Sequence, residues 1–458
     1  MIIFAKANMF VMIETLEEDF LLYFKYSDHK NHLDNALSLS NTYQRCNSLI
    51  SIICDVIKSS TLSISGKGYV HYDGKIYCTI DSDALNSFLY IFLCNLGIEP
   101  IDVVKILPHI FLQIRSRRIN ITDNLIAFKN CVLNLDNMKT FPFSSELKVG
   151  YMVDYAYEEE AECKLWQKFL NRVLPDKTKR DVLQEFVGLI FLDRSKVCVE
   201  KALFLLGGGA NGKSVIAKTI KGIVGHEAVS TFTPQQLVAS EYAIAGTYGK
   251  RLNYCEEVDS RGCIPDKMKA IISGEPIQAR NPYGSYITVH PPVMMFNLNE
   301  LPAMPDKTYG FWRRQIIIEF DVTIPESERD KTLAVKLQGE YPGIFQWALR
   351  GLSRLKRNNY EFSCSDSIDD TIKYAQIINN PVMAFMEANR YAPKMQDYEC
   401  QENYVPASEL SERFFHDWMG RDGKIPKTEL VRFGLELSKL GYEKIKRSTI
   451  QYKIYKQK

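Results

Sequence analysis

The spacing of apolar positions changes several times along the chain, and each change marks an element. The stretch "DFLLYFKYSDHKNHLDNALSLSNTYQRCNSLISIICDVIKSS" has a helical period. "GYVHYDGKIYCTI" alternates β-formers around Asp73-Gly74 and predicts a hairpin. "DSDALNSFLYIFLCNLG" predicts a helix, capped by Asp/Ser and closed by Gly97. Residues 116–160 are β-rich, as in "NLIAFKNCVLNLDNMKTFPF". Helical spacing returns over 161–198, where "AECKLWQKFLNRVL" sets Cys163, Trp166, Phe169, Leu170 and Val173 on one stripe. From 200 to about 320, short apolar strands alternate with helices and loops, the order of a parallel α/β sheet. Residues 325–357 are helical. The polar, acidic stretch "NNYEFSCSDSIDDTI" predicts a linker, and the chain ends in a helix, "KTELVRFGLELSKLG", and a basic strand pair, "YEKIKRSTIQYKIYKQK".

Composition narrows the class only a little. The 458 residues are 46% hydrophobic and 24% charged, ordinary for a globular chain of two to four domains. No apolar run reaches the ~18 residues that span a bilayer. The start lacks a basic leader and a small-residue cleavage site, so no signal peptide is expected. The 11 cysteines stand singly without a Cys-x-x-Cys pair, and the 7 histidines form no ligand-spaced cluster. That pattern excludes metal knuckles and disulfide frameworks and points to reduced thiols in a cytoplasm. A net charge of +2 means that any nucleic acid would be met by local, not bulk, positive charge.

The chemistry begins at "LGGGANGKS". Gly207, Gly208, Gly209, Ala210, Asn211, Gly212, Lys213 and Ser214 fit the phosphate-loop octet, with an apolar strand before and a helix after. Glycines let backbone N–H groups wrap phosphates, and the helix start adds positive dipole. Lys213 is expected on the β- and γ-phosphates of ATP and the Ser214 hydroxyl on Mg²⁺. "KRLNYCEEVD" then supplies acid at the end of a buried strand, Glu256 and Glu257. One carboxylate would bind Mg²⁺, with Glu256 the candidate ligand, and the other would polarise water; an exposed acidic loop is the bland reading. "IQARNPYGSYITV" predicts a hairpin, and "PVMMFNLN" is a strand ending in Asn299, a residue type suited to the γ-phosphate or the water. "GFWRRQIIIEF" places Arg313 and Arg314 before another strand; an arginine there stabilises transition-state charge in ring ATPases.

In order, "GGGANGKS", "LNYCEE", "KAIISGEPIQAR", "PPVMMFNLNELP" and "GFWRRQIIIEF" resemble superfamily 3 helicases, and more narrowly the phage/plasmid/poxvirus-type primase-helicase family. The likeness covers roughly 116–357. It implies a hexameric AAA+-type ring that hydrolyses ATP and moves 3′ to 5′ on single-stranded DNA. It assigns 207–214 to Walker A, Glu256 and Glu257 to Walker B, Asn299 to the sensor, and Arg313 or Arg314 to the arginine finger. Residues 269–285 match the element whose hairpin grips DNA. Two departures stand out: Gly274-Glu275 where relatives often have Gly-Asp, and "NPYGSY" where many carry a lysine. DNA contact would then fall to Lys267, Lys269, Arg280 or Tyr283.

The expected layout is an α/β accessory domain over 1–115 and a β-rich then helical collar over 116–199. An AAA+-like P-loop ATPase core spans 200–357, a linker 358–379, and a winged-helix-like domain 380–458. Asp81-Ser82-Asp83 superficially matches a primase metal pair, but a capped helix start explains it, and the region is too short for a polymerase fold. A separate primase is the expected partner. The basic wing, with Lys444, Lys446 and Arg447, suits fork or duplex DNA; a solvated edge hairpin guarded by lysines is the alternative. The function expected is a replicative DNA helicase of a mobile element, working in a host cytoplasm as a homo-oligomer, without a membrane. The competing functions are an ATP-regulated origin-binding initiator or scaffold and, less favoured, a DNA-packaging ATPase.

Overall fold

Five strands form one parallel sheet at the centre of the chain, in the order Gln315–Glu319, Ala202–Leu206, Val293–Leu298, Leu252–Cys255, Val229–Ser230. The computed structural model describes residues 13–24, 29–66, 68–256, 258, 265–281, 286–301, 309–394, 401–446 and 448–456. Val293–Leu298, Ala202–Leu206 and Leu252–Cys255 are buried at every position, which is why they read as unbroken apolar runs rather than alternations. One face, with Leu203, Leu205, Tyr254 and Met295, packs on helices Lys164–Val173, Lys177–Leu189, Lys213–Val224 and Tyr341–Arg357. The other, with Phe204, Phe296 and Ile317, packs on Leu237, Ile271, Ile272 and Trp312.

The segment before the sheet holds two further strand groups. A core from Leu16 to Ile114 gathers the helices around a three-stranded sheet. Its hairpin pairs Tyr72 with Tyr77, and Asp73 Oδ1 accepts from the Lys75 and Ile76 amides, each at 2.8 Å. Asp81 Oδ1 accepts from the Asp83 and Ala84 amides at 3.0 Å, so this acidic triplet is a helix cap. Strands Leu125–Ala127, Val132–Asn134 and Thr140–Phe141 follow. In Lys164–Val173 the stripe of Trp166, Phe169, Leu170 and Val173 is buried, with Cys163 as the buried cap residue.

The stretch expected as a linker is in large part a helix, Asp366–Asn379, lying against the edge strand Gln315–Glu319. Ile368, Thr371 and Ala375, three and four residues apart, bury one stripe, while Asp366 and Asp369 sit in the first turn, where acid favours a helix. Its polar composition belongs to the solvent face. Beyond it, Phe385, Phe414, Phe433, Leu437, Tyr452 and Ile454 make a separate core. Around this core stand helix Lys427–Lys439 and a four-stranded antiparallel sheet in which Ile450–Lys456 pairs with Glu443–Lys446.

Candidate functional site

The glycine loop leaves the strand Ala202–Leu206 and runs straight into helix Lys213–Val224. Gly212 caps that helix at φ +88°, and a Cβ there would stand 2.9 Å from Phe169 Cζ. The loop is thus seated on the upstream helix Lys164–Val173. Lys213 is 5% exposed and folds back over the loop. Its Nζ donates to the Gly207 carbonyl and, at 3.2 Å, to Asn211 Oδ1. Burial lowers its pKa. Both partners are neutral, so an anionic oxygen would make the stronger acceptor.

The loop opens on a cavity of about 760 Å³, within the size range of small-molecule sites. Polar groups from Lys213, Ser214, Glu256, Asn297 and Asn299 line it together with apolar Leu165, Phe169, Ile324 and Leu333. Lys168, Arg172 and Arg329 add positive charge, and Glu328, which pairs with Arg172, and Asp330 add negative charge. Parallel order explains the convergence: the loop, Glu256 and Asn299 follow the carboxyl ends of neighbouring strands, and Asn297 is the last residue but one of its strand.

Ser214 and Glu256 are exposed in the cavity wall and fit Mg²⁺ shared with a bound triphosphate, since that ion takes few protein ligands and keeps phosphate oxygens and water. Among the described residues no group of three or more His, Cys, Asp or Glu could hold a metal on its own. Glu257 lies outside the described residues. Asn299 is exposed just past its strand, whereas Asn297, which the motif reading passed over, is buried in the strand and also lines the cavity. The signal was present: alternation in "VMMFNLN" puts 295, 297 and 299 on one side.

Arg313 and Arg314 stand at the other end of the sheet. Gln315 pairs with Ala202, the first residue of the loop strand. The loop follows Leu206, roughly 16 Å further along at ~3.3 Å per residue. Arg314 is 9% exposed and donates to Ser273 Oγ at 3.0 Å and Glu200 Oε1 at 2.9 Å. Arg313 also pairs with Glu200 but keeps 41% of its side chain exposed. The two arginines are therefore unequal: Arg314 is a packed structural group and Arg313 an accessible one.

The expected DNA contacts are dispersed. Lys267 is exposed, with Nζ donating to the Val238 carbonyl at 2.6 Å, and Lys269 lies on the same helix, Pro265–Ser273. Arg280 pairs with Glu241 at 2.8 Å and lies over the rings of Tyr242 and Tyr286. Strands Ile277–Arg280 and Tyr286–Val289 form the expected antiparallel hairpin; Tyr283 lies outside the described residues. Lys444 and Lys446 are exposed on Glu443–Lys446, and Arg447 also lies outside the described residues. No helix among the described residues is long and apolar enough to cross a membrane.

Residues 102–175 match the family described as D5 N terminal like. Residues 205–314 match a family described as of unknown function, DUF5906. Among solved structures, the A form apo structure of the NrS-1 C terminal region is 13% identical with a TM-score of 0.48, covering 89% of this chain and 98% of that one. The apo structure of the NrS-1 C terminal region (305–718) is 14% identical with a TM-score of 0.40, covering 65% and 76%.

Proposed function

We propose that the chain is an ATP-hydrolysing DNA motor of the phage-type primase-helicase kind, a superfamily 3 helicase. One observation carries the reading. Lys213, Ser214, Glu256 and two asparagines meet in one cavity, while Arg313, the more accessible of the two adjacent arginines, lies at the far end of the same sheet. An arginine that cannot reach its own loop can complete a site only on a second copy. Head-to-tail contact of that kind generates a ring when its rotation closes, and the family resemblance implies a hexamer. The strand order, with one strand between the loop strand and the acidic strand, is that expected of an AAA+-type core. The D5 N terminal like match upstream of the loop agrees with it.

ATP would enter with its base toward Leu165, Phe169, Ile324 and Leu333 and its phosphates toward the loop. Lys213 would exchange its neutral partners for phosphate oxygens. Ser214 and Glu256 would hold Mg²⁺, which when bound withdraws charge from the phosphate oxygens. Glu256 or Glu257 would orient the attacking water, and Arg313 of one copy would stabilise charge on the phosphate held by the next. The hairpin over 277–289 would face single-stranded DNA, and the winged-helix-like end, through Lys444, Lys446 and Arg447, would hold fork duplex. Within this reading the units are 1–115, 116–199, a motor extended by helix Asp366–Asn379, and 380–458, working in a host cytoplasm.

The test is strand separation on a tailed duplex with ATP, alongside ATP turnover with and without single-stranded DNA. Turnover stimulated by DNA and by protein concentration, with both activities lost in Lys213→Ala, is expected. Hydrolysis indifferent to DNA and to concentration, with no strand separation, would overturn the reading; origin binding kept by Glu256→Gln would then favour an initiator or scaffold.

A further inference from the structure

Glu200 precedes the loop strand by two positions and gathers three donors on one carboxylate. Ser273 Oγ donates to Oε1 at 3.1 Å, Arg314 Nη2 donates to the same oxygen at 2.9 Å, and Arg313 pairs with Oε2. Arg314 Nε closes the network on Ser273 Oγ at 3.0 Å. Two adjacent guanidinium groups repel each other, and a carboxylate between them lets both be held together. Although partial burial pushes the Glu200 carboxyl up, Ser273, Arg314 and Arg313 hold it below its ordinary pKa.

Ser273 is the last residue of helix Pro265–Ser273, and the chain passes from it through Gly274 into the strand Ile277–Arg280. The same helix end is pinned by Arg194, which donates to the Ile272 carbonyl at 2.7 Å and to the Pro292 carbonyl at 3.1 Å. One carboxylate therefore links the accessible arginine to the root of the hairpin. An unheld arginine would have to give up rotamer freedom on meeting a phosphate; one already oriented gives up less.

We infer that Glu200 is a positioning residue of the inter-subunit site. It aims Arg313 at a triphosphate held by a second copy and ties that arginine, through Ser273, to the hairpin over 277–289. The inference rests on the motor reading above. It predicts that loss of the carboxylate harms the copy that donates the arginine, not the copy that holds the nucleotide.

The experiment mixes full-length variants. Arg313→Ala keeps its own loop but donates no arginine; Lys213→Ala donates the arginine but has a dead loop. Each alone is inactive, and a mixture should regain turnover at mixed seams. Adding Glu200→Gln to the Lys213→Ala partner should lower the regained turnover at least ~10-fold, a small part of what an arginine finger contributes. Adding it to the Arg313→Ala partner should leave turnover within about 2-fold, with the KM for ATP unchanged. An equal effect in both placements, or in neither, overturns the inference while leaving the motor reading intact. A parent mixture that regains nothing overturns the shared seam itself and this inference with it. Should the glutamine protein misfold, Glu200→Asp in the same two placements gives the same readout, because it keeps the charge but falls one methylene short of both arginines.

Discussion

Asn297 Nδ2 donates a 2.7 Å hydrogen bond to Tyr254 Oη on the neighbouring parallel strand. Register explains the meeting: Met295 pairs with Tyr254, and Asn297 lies two residues on, on the same face. Its Oδ1 is buried without a protein partner among the described residues, in a side chain that lines the cavity beside Lys213 and Glu256. A phenol both donates and accepts, so Tyr254 can hold the amide in either orientation and offer the cavity a carbonyl or an N–H group. Burial, then the carboxylate of Glu256, raise the Tyr254 pKa, which keeps the hydroxyl protonated for this task.

A buried, oriented amide is better preorganised for a phosphate or its attacking water than an exposed one on a turn. Asn297→Ala should therefore lower kcat for ATP by about 10²-fold, the scale for one fixed donor, with nucleotide affinity changed only a few-fold. Asn299→Ala should cost less, because that side chain is solvent-exposed. Steady-state kinetics together with fluorescent-nucleotide binding decide it. A larger loss of kcat in Asn299→Ala than in Asn297→Ala would return the sensor role to Asn299.

Lys213, Ser214, Glu256 and Asn299 were legible in the sequence because each follows an apolar strand, and strand ends converge in a parallel sheet, whereas Asn297, inside its strand, was passed over. The cavity's apolar groups were not legible. Leu165 and Phe169 appear in the sequence as part of a helix stripe, and nothing local says that this stripe seats the loop at Gly212. Helix packing hid Gly351 and Gly188 in the same way: a methyl at Gly351 would overlap the Gln184 carbonyl oxygen and one at Gly188 the Ala348 carbonyl oxygen, so helices Lys177–Leu189 and Tyr341–Arg357 approach through both glycines. The helix Asp366–Asn379 was missed because acid content outweighed a three-residue stripe. The inequality of Arg313 and Arg314 depends on Glu200, more than a hundred residues away in the chain, as the 114-residue separation from Arg314 shows. Long-range partners of this kind leave no periodic trace.

The pH dependence of stability should be carried in part by His71. Burial pushes its pKa down to about 4 against the pull of the Asp73 carboxylate. Asp19 Oδ2 stands 3.6 Å from Nε2, but its side chain is 44% exposed and its charge is screened by water. Thr61 Oγ1 holds Nδ1 at 2.8 Å. A histidine with a folded pKa below its unfolded value binds protons more readily in the unfolded chain. Its contribution is complete above about pH 6.5 and is lost as pH falls toward 4. Between pH 7 and 4.5 this amounts to ~2–3 kcal/mol. In His71→Gln the titration is gone, so the stability gap between native protein and variant should narrow over that window. Denaturant unfolding at a series of pH values measures the gap, and a constant gap would mean that folding does not hold the ring neutral.

The C-terminal hairpin is the place where the DNA reading is most exposed to test. Lys444 and Lys446 share one face of a strand that is mostly exposed, and neither has a charged partner in its register with Ile450–Lys456. Lys453, by contrast, pairs with Glu402 at 3.1 Å and is occupied. If these two lysines neutralise duplex phosphates, each releases about 0.9 of a counterion. A double Lys444→Ala/Lys446→Ala variant should then reduce the slope of log affinity against log salt by about 2. Affinity at low salt should fall while ATP turnover without DNA stays unchanged, since the cavity is built from other elements. Fluorescence anisotropy of a forked duplex over a range of potassium concentrations gives the slope. An unchanged slope would make these lysines guards of an edge strand, which charge protects from pairing with other chains.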